Sequence, residues 1–358
     1  MKNKKIRVVV ILSSFCVGGA ENMVYELTKS FDKNEVECMV ISCCARQGSI
    51  LEKKVDDAKI NVYYGNCQGN ITILKLVDIY KHISSFKPDI IHAHMGGVIY
   101  SLPYVLTHNI KLVVTAHTTP KEAFNNRTTN ILKFLAKRNK VILTAVSEEN
   151  KRLMADYYGI DRDKVEYVNN GVDLTRYYRK NHTRLTFVNV GRMDKNKNQQ
   201  LIINLFNRLD VARCMDLILC GDGPERPVLE KMVETLGLKE RVTFTGNVGN
   251  VQDYLAVSDI YIQTSHREGL PLSTIEAIAT KLPVISTNVG GMKNIVKDNG
   301  FLINDGDEEG LFNAMKSLST DISLRENMGE KSYEIANLFS AESMSAKYTS
   351  IYKKWVRN

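Results

Sequence analysis

The sequence predicts two doubly wound α/β domains in tandem, and three observations carry that expectation. Apolar runs of strand length alternate with amphipathic stretches from one end to the other, a polar segment interrupts them near the middle, and 358 residues suffice for about two domains. Strands that lack apolar–polar alternation are covered on both faces, which requires parallel sheets flanked by helices. Hydrophobic residues at 44% and charged residues at 25% suit a chain with real cores. They exclude a disordered chain, a collagen-like fibre and a disulfide miniprotein. No run reaches the ~18 apolar residues of a membrane-spanning helix.

The first strand is Ile6–Leu12, "IRVVVIL". Its basic flank and Ala20 have the look of a secretory leader, but the apolar core is short and a helical pattern starts directly at Glu21, so a buried strand is expected. Further strands are expected at "VECMVIS", "INVYY", "DIIHAH", "KLVVTAH", "VILTAVS" and "VEYV". Between them, the stretch Ile71 to Phe86 reads as a helix whose apolar face includes Ile71, Leu74, Val77 and Ile79. The polar stretch from Asp173 to Arg184 reads as the linker. Beyond it the plan repeats with "LTFVNV", "DLILC", "VTFTG", "DIYIQT", "PVIS" and "GFLIN". The expected domains are therefore residues 1–180 and 181–340. A helical tail over 341–358 holds the single tryptophan, Trp355, and is expected to pack back on the first domain. Seven cysteines, an odd number without a CxxC pair, read as buried reduced thiols; Cys16, Cys38, Cys43, Cys214 and Cys220 lie in or beside apolar runs.

The net charge of +8 is unevenly spread. Residues 1–180 hold 27 Lys and Arg against 18 Asp and Glu, a net +9, whereas 181–358 hold 21 against 22, a net −1. A basic first half suits an anionic surface or substrate. With no aromatic–basic interleaving and no zinc-finger spacing, nucleic acid is not an expected partner.

Doubly wound sheets bind ligands at the carboxyl ends of their strands, and the candidate residues fall there. Gly18 and Gly19 stand between the first strand and a helix, where paired glycines let a ligand approach the backbone and the helix N-terminus favours anions. A simple tight turn is the competing reading, since neither a GxGxxG fingerprint nor a P-loop is present. In "VGRMDKNKNQQL", Arg192 and Lys197 follow a strand and precede a helix, well placed for a diphosphate; Lys195 is a solvated neighbour or a substitute for Lys197. In "HREGLPLSTIEAIATKLPVIST", Glu268 lies in a loop and Glu276 on the next helix. The backbone around Gly269 and Leu270 can meet phosphate.

Together with "GGAEN", "HAHM", "TAH", "NNGVD" and "CGDGPER", these segments resemble the retaining glycosyltransferases of family 4, which have the GT-B fold. The resemblance covers nearly the whole chain. It implies two Rossmann-like domains facing a cleft and transfer of a sugar from a nucleotide-sugar, a UDP-sugar by family frequency, to a glycan or lipid-linked saccharide acceptor in cell-surface polysaccharide synthesis. It further implies that Arg192 and Lys197 clamp the donor diphosphate and Glu276 binds the ribose. Glu268 would hold sugar hydroxyls near the reacting carbon, Gly18 and Gly19 would approach the phosphates, and His117 would lie at the reacting end. Glu21, His94 and Asn170 would face the acceptor or cleft. One departure is Asn198, where the family often has glycine after the lysine. A nucleotide-sugar 2-epimerase of the same fold is the alternative. A non-catalytic partner subunit is another, opposed by the intact Glu268, Glu276, Arg192, Lys197 and His117.

No cofactor and no metal are expected. His92 and His94 alternate on one strand but lack a Cys or carboxylate partner for a metal site. Two Asp-x-Asp matches, Asp161 with Asp163 and Asp305 with Asp307, sit where Asp caps and turns. Finally, Lys133, Lys137, Arg138 and Lys140 read as the basic face of a helix with Ile131, Leu132, Phe134 and Leu135. The expectation is a cytoplasmic enzyme held peripherally on the anionic inner face of the cell membrane.

Overall fold

A computed structural model describes residues 4–16, 18–67, 69–117, 119–209 and 214–356, the Glu122 side chain excepted. Among these residues, every apolar run named above is a strand. The first sheet contains β1 (Ile6–Leu12), β2 (Val36–Ser42), β3 (Val62–Tyr64), β4 (Ile90–His94), β5 (Lys111–Ala116), β6 (Val141–Ala145) and β7 (Val165–Tyr167). It is parallel throughout, in the order β3-β2-β1-β4-β5-β6-β7. The second contains β8 (Thr186–Val190), β9 (Asp216–Cys220), β10 (Val242–Gly246), β11 (Ile260–Gln263), β12 (Val284–Thr287) and β13 (Gly300–Ile303), parallel in the order β10-β9-β8-β11-β12-β13.

The unalternated sequence of β1 has a direct structural counterpart. Val8, Val9, Val10 and Ile11 are fully buried because helices cover both faces, and each such side chain contributes about 1.5–3 kcal/mol by leaving water. In both sheets the strand order reverses direction between the first strand and the fourth, at β1/β4 and at β8/β11. The loops leaving these strands therefore diverge and open a crevice at their carboxyl ends. Of the candidates, Gly18, Gly19, His94, Arg192, Lys197, Glu268, Gly269 and Leu270 lie at these strand ends or on the segments that leave them, whereas Glu21, His117, Asn170 and Glu276 do not.

The chain divides into two compact units, residues 1–171 with 341–358, and residues 172–340. The division comes after Gly171 rather than near residue 180. Val172 pairs with Ser340, and the Tyr177 hydroxyl donates to Glu276 Oε1 at 3.1 Å, so the polar stretch after Val172 is tied into the second unit. The helix Ala341–Val356 belongs to the first unit, where its Tyr348 and Tyr352 are fully buried; Arg357 lies outside the described residues. Among the described residues no helix is long and apolar enough to cross a membrane.

Three sequence expectations need correction. The helix Ile73–Phe86 buries Ile79, Ile83 and Phe86, whereas Ile71, Leu74 and Val77 are exposed. Its covered stripe follows the 79/83/86 spacing, so the core-facing side is set by the second half of the helix. The basic helix ends at Lys137, so Arg138 is its cap and Lys140 lies beyond, bonded to Asn109. Leu132 and Leu135 are buried there, and Ile131 and Phe134 are exposed. The cysteines form no disulfide, but only Cys43, Cys67 and Cys220 are buried; Cys16, Cys38 and Cys44 are partly exposed and Cys214 is exposed.

Candidate active site

In the first unit the candidates end or follow four strands, β1, β4, β5 and β7. Beyond β1, Gly18 caps the helix Gly19–Lys29 in an extended conformation. A Cβ at Gly18 would overlap the Glu21 carboxylate, which folds back over the helix start, while a Cβ at Gly19 would meet no described atom within 4 Å. A side chain at Gly18 would therefore displace the Glu21 carboxylate, whereas Gly19 leaves room for a ligand at the positive end of the helix. Burial raises the Glu21 carboxyl above its ordinary pKa, against a bond from its own backbone N–H.

β4 ends in His94, fully buried, and β5 is followed by His117. His94 Nδ1 lies 2.9 Å from His117 Nε2. Behind them His92 is bonded on both sides, to the Tyr352 hydroxyl through Nδ1 and to Thr115 Oγ1 through Nε2, each at 2.7 Å. Burial lowers all three imidazoles, His92 to about 3 and His117 to about 4, so the rings are neutral near pH 7. His92 is accordingly a satisfied core histidine, as its spacing without metal-ligating partners suggested. Asn170, buried in the same unit, follows β7.

The second unit brings together residues 71 positions apart. Lys197 Nζ lies 2.5 Å from Glu268 Oε1, and both side chains are largely buried. The same carboxylate oxygen accepts from Gln263 Nε2 at 2.8 Å, and Gln263 Oε1 in turn accepts from the Tyr261 and Thr274 hydroxyls, each at 2.9 Å. Gln263 and Thr274 carry no motif, and only their burial side by side identifies them as supports of Glu268. The two loops are stitched together. Thr264 Oγ1 donates to the Asn198 carbonyl at 2.9 Å, His266 N to that of Asn196 at 2.8 Å, and Asn196 Nδ2 to that of Arg267 at 3.0 Å. Asn198 has φ 51°, the left-handed region that glycine adopts freely and asparagine tolerates best among the others, so the departure from glycine leaves the turn intact. Gly290, at φ 54°, packs so closely under the Glu268 carbonyl that a Cβ there would overlap it, and Gly291 N–H donates to the Gly269 carbonyl at 2.7 Å.

Arg192 is mostly exposed, 3.8 Å from Asp194. Leu270 is buried just before the helix Leu272–Ala279, which carries Glu276. The Asp-x-Asp pairs serve local structure: Asp161 lies 3.9 Å from Lys164, Asp305 Oδ2 2.9 Å from His266 Nδ1, and Asp307 caps the helix Glu308–Thr320. Among the described residues no three His, Cys, Asp or Glu side chains converge on a metal position.

Two family models match this chain. Residues 17–176 match the family model "Glycosyltransferase Family 4", and residues 174–335 match "Glycosyl transferases group 1". The chain is 28% identical to the N-acetyl-alpha-D-glucosaminyl L-malate synthase of Bacillus anthracis, over 75% of this chain and 76% of that one. It is 24% identical to an Escherichia coli UDP-Gal:alpha-D-GlcNAc-diphosphoundecaprenol alpha-1,3-galactosyltransferase, over 89% and 90%. Among solved structures, Anabaena HepE in complex with UDP superposes with a TM-score of 0.84 at 18% identity, covering 98% of this chain and 100% of that one.

Proposed function

Because this chain belongs to glycosyltransferase family 4 and has the GT-B fold, we propose that it moves a hexosyl or N-acetylhexosaminyl group, with retention, from a UDP-sugar to a glycan or lipid-linked saccharide. The observation that carries this reading is the Lys197–Glu268 pair at the carboxyl ends of β8 and β11. It sets a cation for a leaving diphosphate beside a carboxylate for sugar hydroxyls, both buried where water screens them least. Arg192 adds a second cation, Glu276 binds the ribose, Gly18 and Gly19 admit the phosphates, and His117 contacts the reacting sugar. The donor class is supported by the E. coli relative, named for UDP-Gal, and by the UDP complex of the Anabaena protein. A thermal-shift screen of nucleotide sugars tests it. The matching UDP-sugar at 100 times its dissociation constant adds roughly 2.7 kcal/mol of stability, whereas stabilisation by GDP- or ADP-sugars alone overturns the assignment.

The leaving diphosphate needs no metal in this reading, since Lys197, Arg192 and the helix N-termini offset its charge. Transfer activity should persist in EDTA; activity lost and then restored by Mn²⁺ would show that a cation takes part.

The enzyme works at the cytoplasmic face of an anionic membrane, on which the basic first unit docks. Ile131 and Phe134 are exposed on the helix Asn126–Lys137 beside Lys133, Lys137 and Arg138. Three cations at about 1 kcal/mol each give a little over a hundredfold partitioning, weakened by salt. Flotation with phosphatidylserine vesicles should drop by about that factor when the three are replaced by Gln. Unchanged flotation would remove this helix as the anchor.

A further inference from the structure

We propose that His94 is a positioning residue that holds His117 as its Nδ1–H tautomer, so that His117 meets the substrate as a neutral hydrogen-bond donor and cannot serve as a base. The proposal rests on the reading that places His117 at the reacting sugar. His94 Nδ1 and His117 Nε2 are 2.9 Å apart, and two neutral rings in that contact share one hydrogen. It belongs either to His94 Nδ1 or to His117 Nε2.

The other nitrogen of His94 decides between them. Nε2 is buried and has no hydrogen-bond partner among the described residues. If His117 Nε2 carried the shared hydrogen, His94 would have to carry its own on Nε2, a buried N–H with nothing to accept it. With the hydrogen on His94 Nδ1, Nε2 is left as a lone pair. Orphaned buried N–H groups are rarer and costlier than under-satisfied acceptors. His94 therefore donates through Nδ1, His117 accepts through Nε2, and the remaining hydrogen of His117 is on Nδ1.

The ring of His94 is also held in place. The His92 ring lies behind it, centroids 4.1 Å apart, and is itself fixed by Tyr352 and Thr115. Thr115 bonds in turn to the hydroxyls of Thr144 at 2.6 Å and Tyr348 at 3.0 Å. His117 is left with no lone pair to receive a proton, because its only unprotonated nitrogen is engaged by His94. What it can recognise is an oxygen acceptor, a sugar hydroxyl or the carbonyl of an N-acetyl group. The proton of the attacking hydroxyl has to leave by another base.

The test is long-range ¹H–¹⁵N NMR of the ¹⁵N-histidine-labelled full chain, with kinetics of His94 variants. The expected wild-type spectrum shows Nδ1–H patterns for both His94 and His117, assigned by the losses in His94→Asn and His117→Asn. Asparagine places an N–H donor close to the position of Nδ1, so His94→Asn should keep the His117 tautomer and lose less than about tenfold in kcat. His94→Leu should lose about a hundredfold in kcat with donor KM little changed. An Nε2–H pattern for His117, or equal kcat losses in the folded Asn and Leu variants, overturns the proposal. If the tautomers are as stated but His117→Ala leaves kcat unchanged, it is the placement of His117 at the reacting sugar that fails.

Discussion

Glu268→Gln should lower kcat and kcat/KM together, by roughly a hundred- to a thousandfold, the range seen when one preorganised electrostatic contact to a transition state is removed. The carboxylate accepts from Lys197 at 2.5 Å and from Gln263 at 2.8 Å, so its position is fixed before substrate arrives. In the proposed role its charge would favour an oxocarbenium-like sugar as the diphosphate leaves, a benefit concentrated in the transition state. Glutamine keeps the shape and removes the charge. Lys197 then faces a neutral amide in place of its anionic partner and keeps more of its charge for the diphosphate, so affinity for free UDP should hold or rise. Glu276→Gln differs. Tyr177 steadies Glu276 at 3.1 Å, and a ribose contact is the same in ground and transition states, so donor KM should rise with kcat unchanged. Steady-state kinetics with UDP titration separate the two. A Glu268→Gln enzyme that only raises KM, or a glycosyl–Glu268 adduct trapped by mass spectrometry, would remove Glu268 from this role.

The second large effect is acid destabilisation of the first unit, beginning near pH 6.5. An unfolded histidine protonates near that pH, whereas burial holds His92 at about 3, His117 at about 4 and His94 well below its ordinary value. Between those limits the unfolded chain binds more protons than the folded one, so stability falls as pH falls and is flat above about pH 7. Each fully buried ring contributes roughly 1.4 kcal/mol per pH unit, hence about 2 kcal/mol at pH 5. His92 gives about that amount, and His94 and the partly exposed His117 act in the same sense. Glu21, raised by burial, works in the opposite sense around and above pH 4.5, as one group against three. Trp355, in the C-terminal helix of this unit, reports the transition by fluorescence. Urea midpoints should fall steeply from pH 7 to pH 5, and less steeply in His92→Gln. Equal midpoints at the two pH values would show that these rings are not held neutral by burial.

The strands, the doubly wound class and the loops at the strand ends that hold the candidate residues are legible in the sequence alone. Those features are local: an unalternated run such as "IRVVVIL" is stable only with both faces covered, and Gly18–Gly19 or Arg192–Lys197 mark a strand end wherever the strand lies. Asn170, Glu21 and Glu276 were likewise legible as candidates from their motifs. What the tertiary structure decided is which distant residues share a bond. Lys197 meets Glu268 because β8 and β11 are neighbours at the reversal of strand order, 71 residues apart in sequence. Gln263 supports Glu268 because it ends β11 with its side chain buried among Tyr261 and Thr274. His92 is bonded to Tyr352 across 260 residues, which no periodicity encodes. The same holds for the errors. The apolar spacing of Ile71, Leu74 and Val77 is genuinely helical, yet whether a face is covered depends on what the sheet sets against it. Periodicity reports which side chains share a face; only the crossovers between strands decide which face meets the core, and which polar groups are brought close enough to act together.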